Sequence, residues 1–87
     1  MFVIVVYDVG EKRVNKVLKR CRKYLNWVQN SVLEGDISES NLKKLKMELE
    51  QIIDSEIDSV IIYKSRTTKY SEREIMGLRK GGEDLII

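Results

Sequence analysis

Histidine and proline are absent from this 87-residue chain, and cysteine, tryptophan and phenylalanine each occur once. Without imidazole, serine–histidine and cysteine–histidine nucleophile pairs, histidine zinc sites and paired-histidine ribonuclease chemistry are all excluded. Cys21 alone makes neither an internal disulfide nor a thiolate metal cluster. No apolar run approaches the roughly 20 residues that cross a bilayer, and the longest, Met1 to Tyr7, is strand-sized. The basic lead-in, long apolar stretch and cleavage site of a secretory leader are missing too, so a soluble, cytoplasmic protein with no membrane partner is expected. Any chemistry falls to carboxylates, Tyr, Ser, Lys and Arg. Of these only the carboxylates suit a metal, and a hard one such as magnesium.

What is present is an ordinary globular balance, 43% hydrophobic and 34% charged, which fits a single domain over residues 1–87. A lone chain of this size buries only roughly 60–65% of its unfolded surface, so a partner subunit is expected to help. The net charge is only +2, but it is segregated. Lys12 to Lys23 holds seven bases and no acid, Glu34 to Asp58 holds eight acids against three bases, and Lys64 to Lys80 holds six bases against two acids. Two basic segments around an acidic middle point to a polyanion on one surface; the alternative is a pair of solvated helix faces.

Phe2-Val3-Ile4-Val5-Val6-Tyr7 is apolar on both faces, the mark of a central covered strand, and it ends at Asp8-Val9-Gly10. Val14, Val17, Leu18, Cys21 and Leu25 recur at helical spacing and predict an amphipathic helix from about Lys12 to Tyr24. Asn26 to Ile37 is rich in strand formers and reads as one long bent strand or two short ones. Ser38 or Ser40 is an N-cap for a second helix with Leu42, Leu45, Leu49, Ile52 and Ile53 as its buried stripe. Asp58 to Tyr63 is the next strand, Ser65 to Ser71 a polar connection, and Arg73 to Leu78 a short strand. Lys80-Gly81-Gly82 then links to a terminal strand within residues 80–87.

That order predicts an α+β, ferredoxin-like (split βαβ) sandwich: an antiparallel sheet with two helices on one face. The other face of the sheet would be bare, yet the first strand has no polar alternation. Sheet-to-sheet homodimerisation is the direct inference.

Asp8 stands where the central strand ends, a position from which ligand-binding groups project. The alternative is a carboxylate that caps the following turn or the first helix. If two sheets face each other about a two-fold axis, two copies of Asp8 converge, and a pair of carboxylates is a natural divalent-cation site.

The apolar strand ending in Tyr7-Asp8, the basic helix, and the run Val28-Gln29-Asn30-Ser31-Val32-Leu33-Glu34-Gly35-Asp36-Ile37 together resemble the small universal subunit of the CRISPR adaptation machinery, the CRISPR-associated endoribonuclease family. Asp58-Ser59-Val60 opening a strand that ends at Tyr63, then Ile75-Met76-Gly77 and a terminal apolar strand, extend the likeness over nearly the whole chain. The resemblance implies a ferredoxin-like homodimer whose C-terminal strand crosses to the neighbouring subunit. It implies that Asp8 is catalytic and binds Mg2+, with Mn2+ able to substitute, for hydrolysis of single-stranded RNA or double-stranded DNA during spacer acquisition. It also implies assembly with the CRISPR integrase. Members differ in activity, so a non-catalytic dimeric scaffold that binds DNA and docks the integrase is the second reading. A generic ferredoxin-like binding module, with Asp8 a turn cap, is the third. Two departures stand out: Leu33 where the family usually has Phe, and Trp27 where an Arg often stands.

Around Asp8, Arg13 is placed to neutralise a phosphate, Lys16, Arg20 and Arg22 to contact the nucleic-acid backbone, and Ser31 to be a secondary contact. Tyr7 alternates away from Asp8 and belongs to the core. Trp27 and Tyr24 are read as packing in preference to base stacking, and Cys21 as a small buried hydrophobe.

Overall fold

The computed structural model describes residues 1–67 and 70–79. Its elements run β1 (Phe2–Asp8), α1 (Glu11–Cys21), β2 (Asn26–Gln29), β3 (Val32–Asp36), α2 (Glu39–Ile52), β4 (Ser59–Thr67) and β5 (Tyr70–Gly77). The five strands form one antiparallel sheet in the order β2-β3-β1-β4-β5. This is the expected ferredoxin-like α+β fold with one further strand at the β4 edge.

Alternation along β1 sets the layers. Val3, Val5 and Tyr7 are buried, and with Leu33, Val60, Ile62 and Met76 they meet Val17, Cys21 and Leu25 from the α1 segment and Leu42, Leu45 and Leu49 from α2. Both helices therefore cover the same face of the sheet. Phe2, Ile4 and Val6 point the other way, Ile4 opposite Tyr63 and Val6 opposite Ile61 and Val32. These side chains are half-buried or, like Phe2 at 38%, exposed. An apolar strip thus runs across the uncovered face.

The structure decides what the sequence left open and moves several boundaries. Asn26 to Ile37 is two strands, because Asn30 takes a positive φ of 36° and turns the chain back on itself; Asn tolerates that conformation better than most residues. The first helix stops at Cys21 and not Tyr24. The polar stretch Ser65 to Ser71 is mostly strand, since β4 and β5 stay paired to Thr67 and Tyr70. Ser38, not Ser40, caps α2, accepting from the Asn41 amide at 3.1 Å. The expected terminal strand within 80–87 lies outside the described residues. No helix among the described residues is long and apolar enough to cross a membrane.

Candidate active site and nucleic-acid interface

Asp8 is the last residue of β1, opposite Ser59 of β4. It shares the parity of Phe2, Ile4 and Val6, so its exposed carboxylate belongs to the uncovered face of the sheet. It does not cap α1: the N-cap is Gly10, and no side chain bonds there. That removes the helix-cap reading of Asp8.

The residue that secures this corner comes from the far side of the chain. Asp58, 1% exposed, accepts from the Gly10 amide at 3.0 Å, the Asp54 amide at 2.8 Å, and the Arg13 guanidinium through Nε at 2.5 Å and Nη2 at 3.0 Å. The Arg13 bond above all, with the two amides, holds its carboxyl well below the usual carboxylate range despite the opposing effect of burial. A charge this enclosed is tolerable only when its lone pairs are filled, and here they are. Its backbone is gripped too, its carbonyl accepting from the Leu78 amide at 2.8 Å. Gly77 makes that approach possible: it has φ 81°, and a Cβ there would come within 2.3 Å of the Asp58 carbonyl oxygen. The loop Val9-Gly10 that follows Asp8 is therefore anchored by Asp58.

This corrects the sequence assignment of Arg13. Placed by α1 against Asp58, its guanidinium is committed to an internal fork, and its role is to position the loop and not to meet a phosphate. Ser31 also moves. Its carbonyl accepts from the Tyr7 amide at 3.1 Å, but its hydroxyl bonds the Tyr7 phenol, whose pKa is raised chiefly by burial under the helices. Ser31 thus lies in the turn before β3, opposite Tyr7 and not Asp8, with its side chain turned to the face away from the Asp8 carboxylate.

The remaining bases divide. Lys16 is exposed, and with Lys12, Lys19 and Lys23 it follows the helical spacing of a single stripe along α1 and the turn after it. Arg20 pairs with Glu48 of α2 at 2.9 Å, and Tyr24 donates a short hydrogen bond to the same carboxylate. The Tyr24 bond and then Arg20 lower the Glu48 pKa. Arg22 lies over the Trp27 ring, 5.6 Å from its centroid. Cys21 is fully buried, and burial pushes its thiol up to about 12, as expected of an inert core residue. The lysine stripe lies on the helical layer and Asp8 on the sheet face, so the structure does not gather them on one surface.

Among the described residues there is no group of three or more potential metal-ligating side chains. A single exposed carboxylate per chain nonetheless fits magnesium, which keeps most of its waters and takes only one or two carboxylates. Asp58 and Glu48 are the structural residues that sequence reasoning missed. Their partners lie 45 and 28 residues away, and no local pattern announces them.

The fold and site together define a ferredoxin-like α+β protein that offers one carboxylate at a central strand end and a lysine-lined helix on the opposite layer. The family model described as CRISPR associated protein Cas2 matches residues 1–73. A protein of Dictyoglomus turgidum named CRISPR-associated endoribonuclease Cas2 is 58% identical over 87 residues, covering 100% of both chains. A protein of the same name from Thermotoga maritima is 51% identical over 86 residues, covering 99% of each. Among solved structures, one titled "Crystal structure of cas2" superposes with a TM-score of 0.74 at 44% identity, covering 100% of this chain and 98% of that one. The chain belongs to the Cas2 family of CRISPR-associated proteins.

Proposed function

We propose that this chain is a metal-dependent endoribonuclease of the CRISPR adaptation system, acting as a homodimer with Asp8 as its catalytic carboxylate. The observation that carries this reading is the exposed Asp8 at the end of the central strand, on the apolar face that no helix covers. Relatives covering the whole chain bear the endoribonuclease name. Packing two such faces together removes the Val6, Ile4 and Ile61 strip from water at roughly 25 cal/mol per Å2 and brings two Asp8 carboxylates toward a common axis. Asp8 of each subunit would hold Mg2+, or Mn2+ in its place, and when bound the cation supplies water activation and Lewis-acid stabilisation of phosphoryl charge. The protein's own part is to fix the carboxylate. Asp58 and Arg13 anchor the loop behind it, and the Tyr7–Ser31 backbone bond ties the preceding residue to β3.

A second reading has its own observation. The lysine stripe of α1 lies on the layer opposite Asp8, which suits a duplex bound away from the carboxylate, as in a scaffold that holds DNA and docks the integrase. Such binding would weaken steeply with salt and depend little on sequence.

The deciding experiment is Mg2+-dependent cleavage of single-stranded RNA and of duplex DNA by wild type and Asp8→Asn. The endoribonuclease reading expects RNA cleavage to fall by more than the roughly 10–100-fold that loss of a supporting residue costs. Fold, dimer and affinity should stay intact. An Asp8→Asn protein that cuts as fast as wild type, with contaminating nuclease excluded, leaves the scaffold.

A further inference from the structure

Trp27 is the only tryptophan in the chain and is not core: it is 50% exposed, on an edge strand whose four residues are all exposed. Exposure of one apolar side chain needs no special reason; what sets this ring apart is that it is held in place while exposed. Its Nε1 donates to the Asn30 carbonyl at 3.0 Å, which fixes one edge on the β2–β3 turn. The Arg22 guanidinium stands 5.6 Å from the centroid, fixing it from above.

We infer that Trp27, with Arg22, is a stacking platform for an unpaired base of a single-stranded nucleic acid. The inference rests on the nuclease reading above and identifies how a single strand, as opposed to a duplex, is engaged. A preorganised indole offers a π-face to any base, since every base has one, and stacking tolerates sequence. The surroundings suit the rest of a nucleotide. Lys19 and Lys23 flank Arg22 in sequence where α1 ends; Lys19 is exposed and Lys23, although 3.8 Å from Glu48, is 61% exposed, so phosphates flanking the stacked base meet cations. A hydrophobic protein anchor would instead want an apolar surround, and this ring is bordered by Arg22, Gln29 and Asn30.

Position sets the path that such a strand would follow. The turn that receives Trp27 Nε1 is the one whose next residue, Ser31, accepts from the Tyr7 amide at 3.1 Å, and Tyr7 precedes Asp8. With β3 between β2 and β1, Trp27 and the β1 strand are about 10 Å apart across the sheet. Trp27 pairs with Leu33, which pairs with Val5, three residues before Asp8, so a strand stacked on Trp27 needs several further nucleotides to pass around the end of the sheet to the carboxylate on the other face.

Because Trp27 is the only indole, its fluorescence reports this contact alone. The full chain carrying Asp8→Asn, which the nuclease reading expects not to cut, is titrated with three probes: a ten-nucleotide single-stranded RNA, the abasic sugar-phosphate strand of equal length, and a DNA duplex. Binding is followed separately by anisotropy. The expected result is strong quenching by the base-bearing strand and little by the other two, even where anisotropy shows them bound. Trp27→Leu should weaken the single strand about 5- to 100-fold and leave the duplex unchanged, while Trp27→Phe retains most of the affinity. Equal quenching by the abasic strand overturns the inference, as does undiminished affinity of Trp27→Leu. Emission already blue-shifted and shielded from acrylamide in the free protein overturns it too, because a second copy or the chain's own tail would then own the ring. Intact quenching with no cleavage by the wild type would sink the nuclease reading and spare this one.

Discussion

Arg13 of the first helix and Asp58 ahead of the fourth strand, 45 positions apart, form a two-pronged ion pair that closes beneath the loop after Asp8. Four hydrogen bonds converge on one carboxylate that water scarcely reaches, two from the guanidinium and two from backbone amides. The pair joins β1, α1 and β4 at a single point. The candidate active site is therefore built on a buried ionic post, and its carboxylate is aimed by residues that need not touch substrate.

Asp58→Ala removes all four bonds at once and leaves a guanidinium and two amide donors without their shared acceptor. Loss of a partner from a buried pair is costly, so a destabilisation of about 3 kcal/mol is expected in chemical denaturation. Arg13→Met should also destabilise, since it strands the Asp58 charge. The double variant should cost less than the sum of the two. A loss below about 1 kcal/mol for Asp58→Ala would show that the post is dispensable.

Acid should find the same weak point. The folded-state pKa of Asp58 is depressed, first by Arg13, and those of Glu48 and Glu74 are lowered by Tyr24 with Arg20 and by Lys46 with Lys64. A depressed carboxylate contributes stability that is fully present above its unfolded value of about 4 and is lost as pH falls toward the folded one. The unfolding free energy should thus be flat from neutral pH to about 5 and decline steadily below 4. Asp58→Asn should flatten that decline, which a denaturation series across pH reads directly.

The uncovered sheet face predicts the oligomer. Val6→Lys or Ile61→Glu places a charge on a strip that is half-buried in the single chain and would be fully enclosed between two sheets. Light scattering should show wild type as a dimer at micromolar concentration and either variant as a monomer with its circular dichroism preserved. A wild-type monomer would remove the shared carboxylate site along with the dimer.

Cys21 gives a check on the helix-to-sheet packing. Fully buried, with its thiol pushed up to about 12, it should resist alkylation in the native protein and label fully in denaturant. Rapid native labelling would mean that the first helix opens readily from the sheet.

Much of this protein was already decided by sequence. The strand Phe2 to Tyr7, the two leucine- and valine-striped helices and a serine cap at Ser38 or Ser40 are local or periodic features, and hydrophobic burial leaves few ways to stack them. The place of Asp8 at a strand end follows from the same pattern, and so does the bare apolar face. Only tertiary structure decided what the charged side chains do. Arg13, Arg20 and Arg22 look alike along the helix, yet they end respectively on a buried Asp58, on Glu48 and over Trp27. A cation's partner depends on which distant group the fold brings within reach, and helical periodicity carries no record of that distance. For the same reason Ser31 reads as a neighbour of Asp8 but turns beneath the helices. Trp27, apolar enough for any core, is left in water because β2 is the edge of the sheet and the first helix ends before covering it.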